Sequence, residues 1–163
     1  MPEVVYLGQK RIKDKIRPQK QLKDSNDKFI LICFNARFEL DSLESIMELI
    51  EAKIPNHKVK IRLHKYINKE EARARFPDFN ISTILDETLA ESFSNAEWCI
   101  AGNSSILLDA LVAGVTPLYF RTNEHHDYYG FVEVGLISEL LSDTDINHVI
   151  SISNQERLKL YYG

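Results

Sequence analysis

Trp98 to Phe120 reads WCIAGNSSILLDALVAGVTPLYF. Its first four residues make an apolar run of strand length, Gly102-Asn103 interrupts it, and Ser105 to Ala113 carries apolar residues at helical spacing. Gly114 stands where such a helix closes in a left-handed cap, and Pro117 to Phe120 is apolar again. Strand, turn, helix and strand in this order form a β-α-β unit. The two strands must run parallel, because the helix carries the chain back across the sheet before the second begins.

Working outward, the same alternation continues. Upstream, FILICF (Phe29 to Phe34) is a continuous apolar run, as expected of a strand covered on both faces. Asp41 is placed to cap a helix in which Leu43, Ile46, Met47 and Ile50 recur, and Ile54-Pro55 ends it. Val59 to His64 reads as a second strand, with Arg62 and His64 near its C-terminal end. Lys69 to Arg75 reads as a short charged helix stopped before Pro77. Ile81 to Leu85 reads as a strand and Thr88 to Asn95 as a helix. Downstream, Val134 to Leu141, Asp145 to Ile152 and Gln155 to Tyr161 are read as helices. This order predicts a Rossmann-like three-layer α/β/α fold with a mainly parallel sheet of about five or six strands. Residues 1–28 are read as a linker with one short strand, Val4 to Leu7, and residues 29–163 as the domain.

The 163 residues, 44% hydrophobic and 27% charged, suit one soluble domain and exclude a fibre or a disordered chain. No apolar run approaches the roughly 20 residues of a membrane-spanning helix, and the start lacks the features of a signal peptide. A cytoplasmic location is expected. Cys33 and Cys99 both fall in apolar strands and are expected to be reduced core residues. The net charge of −4 conceals a basic stretch, Lys10 to Lys28, with eight Lys or Arg against three Asp. It is a candidate contact for lipid headgroups at a membrane surface, although a solvated linker is the preferred reading. Overall acidity argues against a nucleic-acid partner.

In a parallel sheet, ligands bind beyond the C-terminal ends of the strands. The turn Gly102-Asn103-Ser104-Ser105 lies there, at the start of a helix whose free backbone N–H groups and partial positive charge favour an anion. Gly102 admits a close approach to the backbone, and the two hydroxyls add donors. An ordinary serine cap accounts for the turn equally well. Arg37 follows the first strand, and its planar fork suits two phosphate oxygens. His64 and Lys65 follow the second. Asp109 lies one turn into the helix after the serines.

Three segments together, Asn103-Ser104-Ser105, Asp109-Ala110-Leu111 and Gly114-Val115-Thr116-Pro117, resemble the donor-binding half of two-Rossmann-domain (GT-B) glycosyltransferases. His64 with Ser104-Ser105 is similar to the His-Pro and Ser-Ser or Ser-Thr pairs of bacterial sialyltransferases, Kdo transferases and polyol-phosphate polymerases. Lys65 stands where those families have proline. The resemblance implies a nucleotide-sugar donor as substrate and a phosphate site formed by Arg37, His64, Lys65, Gly102, Asn103, Ser104 and Ser105. It also implies that Asp109 binds the ribose, and that Thr122, Asn123 and Glu124 face the sugar. The glutamate pair of some retaining transferases is absent, because the required spacing from Glu124 falls on Val132. Neither a cofactor nor a metal is expected, and His125-His126 lack a third ligand at helical spacing. The acceptor site and catalytic base would belong to a separate N-terminal domain, so this chain alone is expected to bind donor with little transfer activity. The nearest alternative is a sugar-nucleotide 2-epimerase, which shares the His, the Ser/Gly turn and an Arg-Thr-x-Glu segment, here Arg121 to Glu124. A non-catalytic α/β recognition module is the other. Oligomeric state, base, sugar and acceptor are left open by the residues.

Overall fold

β1 (Phe29–Phe34) and β4 (Ala96–Ala101) lie side by side at the centre of a six-stranded sheet of order β3-β2-β1-β4-β5-β6. The computed structural model describes residues 28–122 and 127–162. β2 (Lys58–Leu63) and β3 (Asn80–Thr83) extend one half, and β5 (Thr116–Tyr119) and β6 (Ser138–Glu139) the other. Every pairing is parallel. Parallel strands require crossovers, and these supply the helices α1 (Leu43–Lys53), α2 (Lys69–Arg75), α3 (Leu89–Phe93) and α4 (Ile106–Ala113). After β6 come α5 (Ile146–Ser151) and α6 (Asn154–Tyr162). The fold is a Rossmann-like α/β domain, with six strands.

Strand alternation assigns the two layers. Ile30, Ile32 and Phe34 point to one face together with Ile61, Leu63, Trp98, Ile100 and Leu118. α1 covers that face with Leu43, Ile46 and Ile50, joined by Ala72 of α2 and Val149 of α5. Leu31, Cys33, Cys99, Ala101 and Tyr119 point to the other face, under Phe93 of α3 and Leu107, Ala110 and Leu111 of α4. Both cysteines are free and buried. A hydrogen bond with Cys33, together with burial, pushes the Cys99 thiol well up, which suits an inert core residue.

Arg62 shares this second face, in register with Cys33 and Ser82, although it is charged and only 7% exposed. Its Nη1 donates to Ser92 Oγ at 2.6 Å and to the Glu87 carbonyl at 3.0 Å. The Glu87 carboxylate accepts from Lys60 Nζ at 2.7 Å, Ser82 Oγ at 2.7 Å and Ser92 Oγ at 2.8 Å. Burial alone would raise the Glu87 carboxyl, but the bonds from Lys60, Ser82 and Ser92 outweigh it and hold it below its ordinary range. This network ties α3 and the preceding loop to β2 and β3.

Two expectations are corrected. After β1 the chain first makes a 3-10 turn, Arg37–Ser42, so Ser42, not Asp41, occupies the N-cap of α1. Asp41 instead accepts from Arg75 Nη2 at 2.6 Å. Val134 to Leu141 is not a helix. The Asp127 carboxylate gathers the N–H groups of Phe131, Val132 and Glu133, and Gly130 and Gly135 take positive φ angles of 66° and 77°. Those conformations end any helix, and Ser138–Glu139 adds to the sheet as its edge strand. The expected strand Val4 to Leu7 and the basic stretch up to Lys28 lie outside the described residues, Lys28 apart. No helix among the described residues is long and apolar enough to cross a membrane.

Candidate functional site

Strand order reverses between β1 and β4, which makes the exits of these two strands the expected ligand crevice. Cys33 is in register with Ala101, so the turns that follow lie side by side.

At the β1 exit the backbone donors are already used. Glu39, in the 3-10 turn, folds back so that Oε1 accepts from Asn35 N at 2.6 Å and Ala36 N at 2.8 Å. The side chain is buried, at 7% exposure. A Cβ on Gly102 would stand 2.7 Å from Glu39 Oε2, so any larger residue there would push the Glu39 carboxylate from its present position. Glu39 thus occupies, from within the chain, the N–H groups that an anion would need.

The β4 exit is more open. Ser104 is buried and its Oγ accepts from Ile106 N at 3.3 Å, a capping bond. Ser105 is the N-cap of α4, is exposed, and makes no side-chain capping bond. Its hydroxyl is therefore available at the positive end of an eight-residue helix. Gly114 closes that helix with a φ of 82°, as its sequence position requires.

A cavity of about 350 Å³ opens beside this turn and is lined by Ser104, Ser105, Asp109, His64, Arg62 and Asn35, with Ile84 and Leu89 as apolar walls. His64 Nδ1 accepts from Tyr66 N at 3.4 Å. In neutral histidine that bond places the proton on Nε2, leaving a donor for a ligand. The ring also rests 4.8 Å from the Tyr66 ring. Asp109 is 8% exposed, so burial replaces the solvent exposure that an ordinary helix aspartate would have. Its backbone N–H bonds to the Ser105 carbonyl at 3.2 Å, one turn back. Arg62 reaches the cavity wall with its guanidinium already bonded to Ser92 and the α3 cap.

The structure therefore gathers His64, Ser104, Ser105 and Asp109 at one cavity. Arg37 is not among its lining residues: its side chain is 74% exposed and its Nε donates to Glu71 Oε1 at 2.9 Å, with Nη2 on the same oxygen. Lys65 is exposed too, with Nζ 5.0 Å from the Tyr66 ring centre. Gly102 and Asn103 form the back of the turn. Asn103 Oδ1 accepts from Tyr128 N at 3.0 Å and from the Tyr119 hydroxyl at 3.3 Å. Thr122 lines a neighbouring cavity with Asn103 and Tyr128. Asn123 and Glu124 lie outside the described residues, as do His125 and His126. Among the described residues no group of three or more His, Cys, Asp or Glu is arranged to hold a metal ion. Glu39 is the residue that sequence reading passed over. Its signal is a glutamate three residues after Ala36, the second half of a capping box whose first half lacks the usual Ser or Thr.

Fold and crevice together define a Rossmann-like domain with a candidate ligand crevice at the β1/β4 switch. Among solved structures it is similar to the wall teichoic acid polymerase TagF: a TagF variant soaked with CDPG matches at a TM-score of 0.54 and 13% identity over 97% of this chain. A structure of TagF itself matches at 0.54 and 15% over 93%. The chain spans 42% and 43% of those two chains. No protein-family model and no curated protein matches it. At these identities the likeness concerns the fold.

Proposed function

We propose that this domain binds the nucleotide phosphates of a nucleotide-sugar donor, as one half of a GT-B glycosyltransferase of surface-polysaccharide synthesis. The observation that carries the reading is the convergence of His64, Ser104, Ser105 and Asp109, from two strand exits and one helix, on a single cavity at the switch point. The likeness of this fold to part of a teichoic acid polymerase agrees with it.

In this reading the phosphate sits at the N-terminus of α4, against the Ser105 hydroxyl and His64 Nε2, and Asp109 accepts from the ribose. When an acceptor hydroxyl attacks the anomeric carbon, the departing phosphate gains negative charge. Donors fixed in advance at that position stabilise the transition state more than the ground state. The acceptor and the base that removes its proton would come from a partner domain. Glu39 explains why the phosphate is directed to β4: the corresponding N–H groups after β1 are taken.

The test is a calorimetric titration of CMP, CDP and UDP into the wild type and a Ser104→Ala/Ser105→Ala variant. Binding of one nucleotide, weakened tenfold or more in the variant, is expected. No binding, or binding indifferent to the change, overturns the reading.

A further inference from the structure

Away from the switch point, a cavity of about 310 Å³ is lined by Val134, Gly135, Leu136, Arg157 and Leu160. None of these residues borders the cavity that holds His64 and the serines. Asn154, the first residue of α6, donates from Nδ2 to the Val115 carbonyl at 3.0 Å, so α6 starts at the edge of the sheet opposite the strand exits. Arg157 follows one turn on.

Arg157 is only 4% exposed, and burial holds its guanidinium pKa below the ordinary value. Arginine stays protonated in folded proteins, so this burial carries a positive charge into the interior. Nη1 donates to the Gly135 carbonyl at 3.4 Å and the Leu136 carbonyl at 3.3 Å, and Nη2 to Ser138 Oγ at 3.2 Å. All three acceptors are neutral, and the distances lie at or beyond the long end of the ordinary range. Nε, which shares one edge of the guanidinium plane with Nη2, has no acceptor among the described residues. Arg37, Arg73, Arg75 and Arg121 each pair with a carboxylate, whereas no Asp or Glu among the described residues pairs with Arg157. Glu133 and Glu156, the acids nearest to the lining residues in sequence, are exposed. The other buried arginine, Arg62, shares Ser92 with the Glu87 carboxylate.

A cation buried without a counter-ion is unfavourable, and an anion entering the cavity would relieve it. The edge formed by Nε and Nη2 suits the two oxygens of a carboxylate. The other side chains of the wall, Val134, Leu136 and Leu160, are apolar, and Val134 and Leu160 are exposed at the rim. One positive charge among apolar walls balances a monoanion, whereas a phosphate dianion would keep excess charge away from water. A volume of about 300 Å³ is the lower end for small-molecule sites, so the ligand is small.

We propose that this cavity binds a small monocarboxylate with an apolar chain of a few carbons, its carboxylate held by Arg157 and its chain by Val134, Leu136 and Leu160. The proposal does not depend on the nucleotide reading above.

The test titrates hexanoate, hexanamide, acetate and hexyl phosphate into the full chain by calorimetry, in the wild type and in Arg157→Gln. Hexanamide keeps the shape of the carboxylate without its charge, and acetate the charge without the chain. The wild type is expected to bind hexanoate about tenfold or more tightly than each of the other three. Arg157→Gln keeps an N–H donor but loses the charge, and should abolish the preference for hexanoate over hexanamide. Hexanoate that does not bind, hexanamide or acetate that binds equally well, or a preference that survives Arg157→Gln overturns the proposal. Hexyl phosphate binding as tightly as hexanoate also overturns it, because the site would then accept a dianion. If Arg157→Gln does not fold, Leu160→Glu at the exposed rim decides. Its carboxylate competes for Arg157 and repels the ligand, so the preference for hexanoate over hexanamide should fall about tenfold; an unchanged preference overturns the proposal.

Discussion

The exits of β1 and β4 are neighbours with similar local architecture, a strand leading into a helical turn, yet they treat their backbone donors in opposite ways. After β1, a carboxylate from the chain itself fills the turn and bonds Asn35 N and Ala36 N. After β4, Ser104 caps one N–H and Ser105 leaves the helix end open. A helix or turn N-terminus is an anion site only while its donors are uncommitted. The contrast teaches that fold position offers two candidate turns for an anion, and that side chains a few residues away leave the backbone donors of only one of them open.

The comparison can be broken most strongly at Glu39. Glu39→Ala removes the carboxylate that Asn35 N and Ala36 N donate to and should cost about 2 kcal/mol in urea unfolding. If the carboxylate stands in for an anion, inorganic phosphate or sulfate should recover part of the lost Tm in that variant and do less for the wild type. The Ser104→Ala/Ser105→Ala pair attacks the other turn: a tenfold loss of nucleotide affinity corresponds to about 1.4 kcal/mol. Gly114→Ala tests the far end of the same helix. Its φ of 82° strains any side chain although no atom lies within 4 Å of the added Cβ, so about 1 kcal/mol of stability should be lost with nucleotide affinity little changed.

The smallest effect belongs to the opposite edge of the sheet and serves as a control. His57 Nε2 bonds Glu97 at 2.8 Å, and Nδ1 faces the carbonyls of Pro55 and Ile54 at 3.0 and 3.2 Å. Burial would lower its pKa, but the bond to Glu97 and those two carbonyls outweigh it and raise the value above 6.5. A raised pKa means that protonated His57 stabilises the fold fully below about pH 6.5, and that this contribution fades as pH rises through the raised value. The change should be under about 1 kcal/mol, should vanish in His57→Gln, and should leave nucleotide affinity untouched.

Much of this was readable in the chain. FILICF gave the bounds of β1, and Lys69 to Arg75 those of α2, because each is closed by strong local signals. Gly114 and the serines located α4 for the same reason. The segment from Val134 to Leu141 was misread because periodicity records which side chains are buried, not where the backbone hydrogen bonds go. Leu136, Ile137 and Leu140 are indeed buried, but Leu140 N bonds to the Tyr119 carbonyl across the sheet edge. At the candidate site, the place of His64 and the serines after strands was legible, and the structure brings them to one cavity. Arg37 was drawn away by Glu71, 34 residues along the chain, a pairing that no local pattern reveals.

The contact between Glu39 and Gly102 also bears on how this sequence can vary. A library randomised at position 102 alone should return glycine among its folded members, since every other residue drives a Cβ toward the carboxylate. Randomised at both positions, it should also return alanine or serine at 102, but only beside a shorter residue at 39. The two sites would then vary more freely as a pair than either does alone.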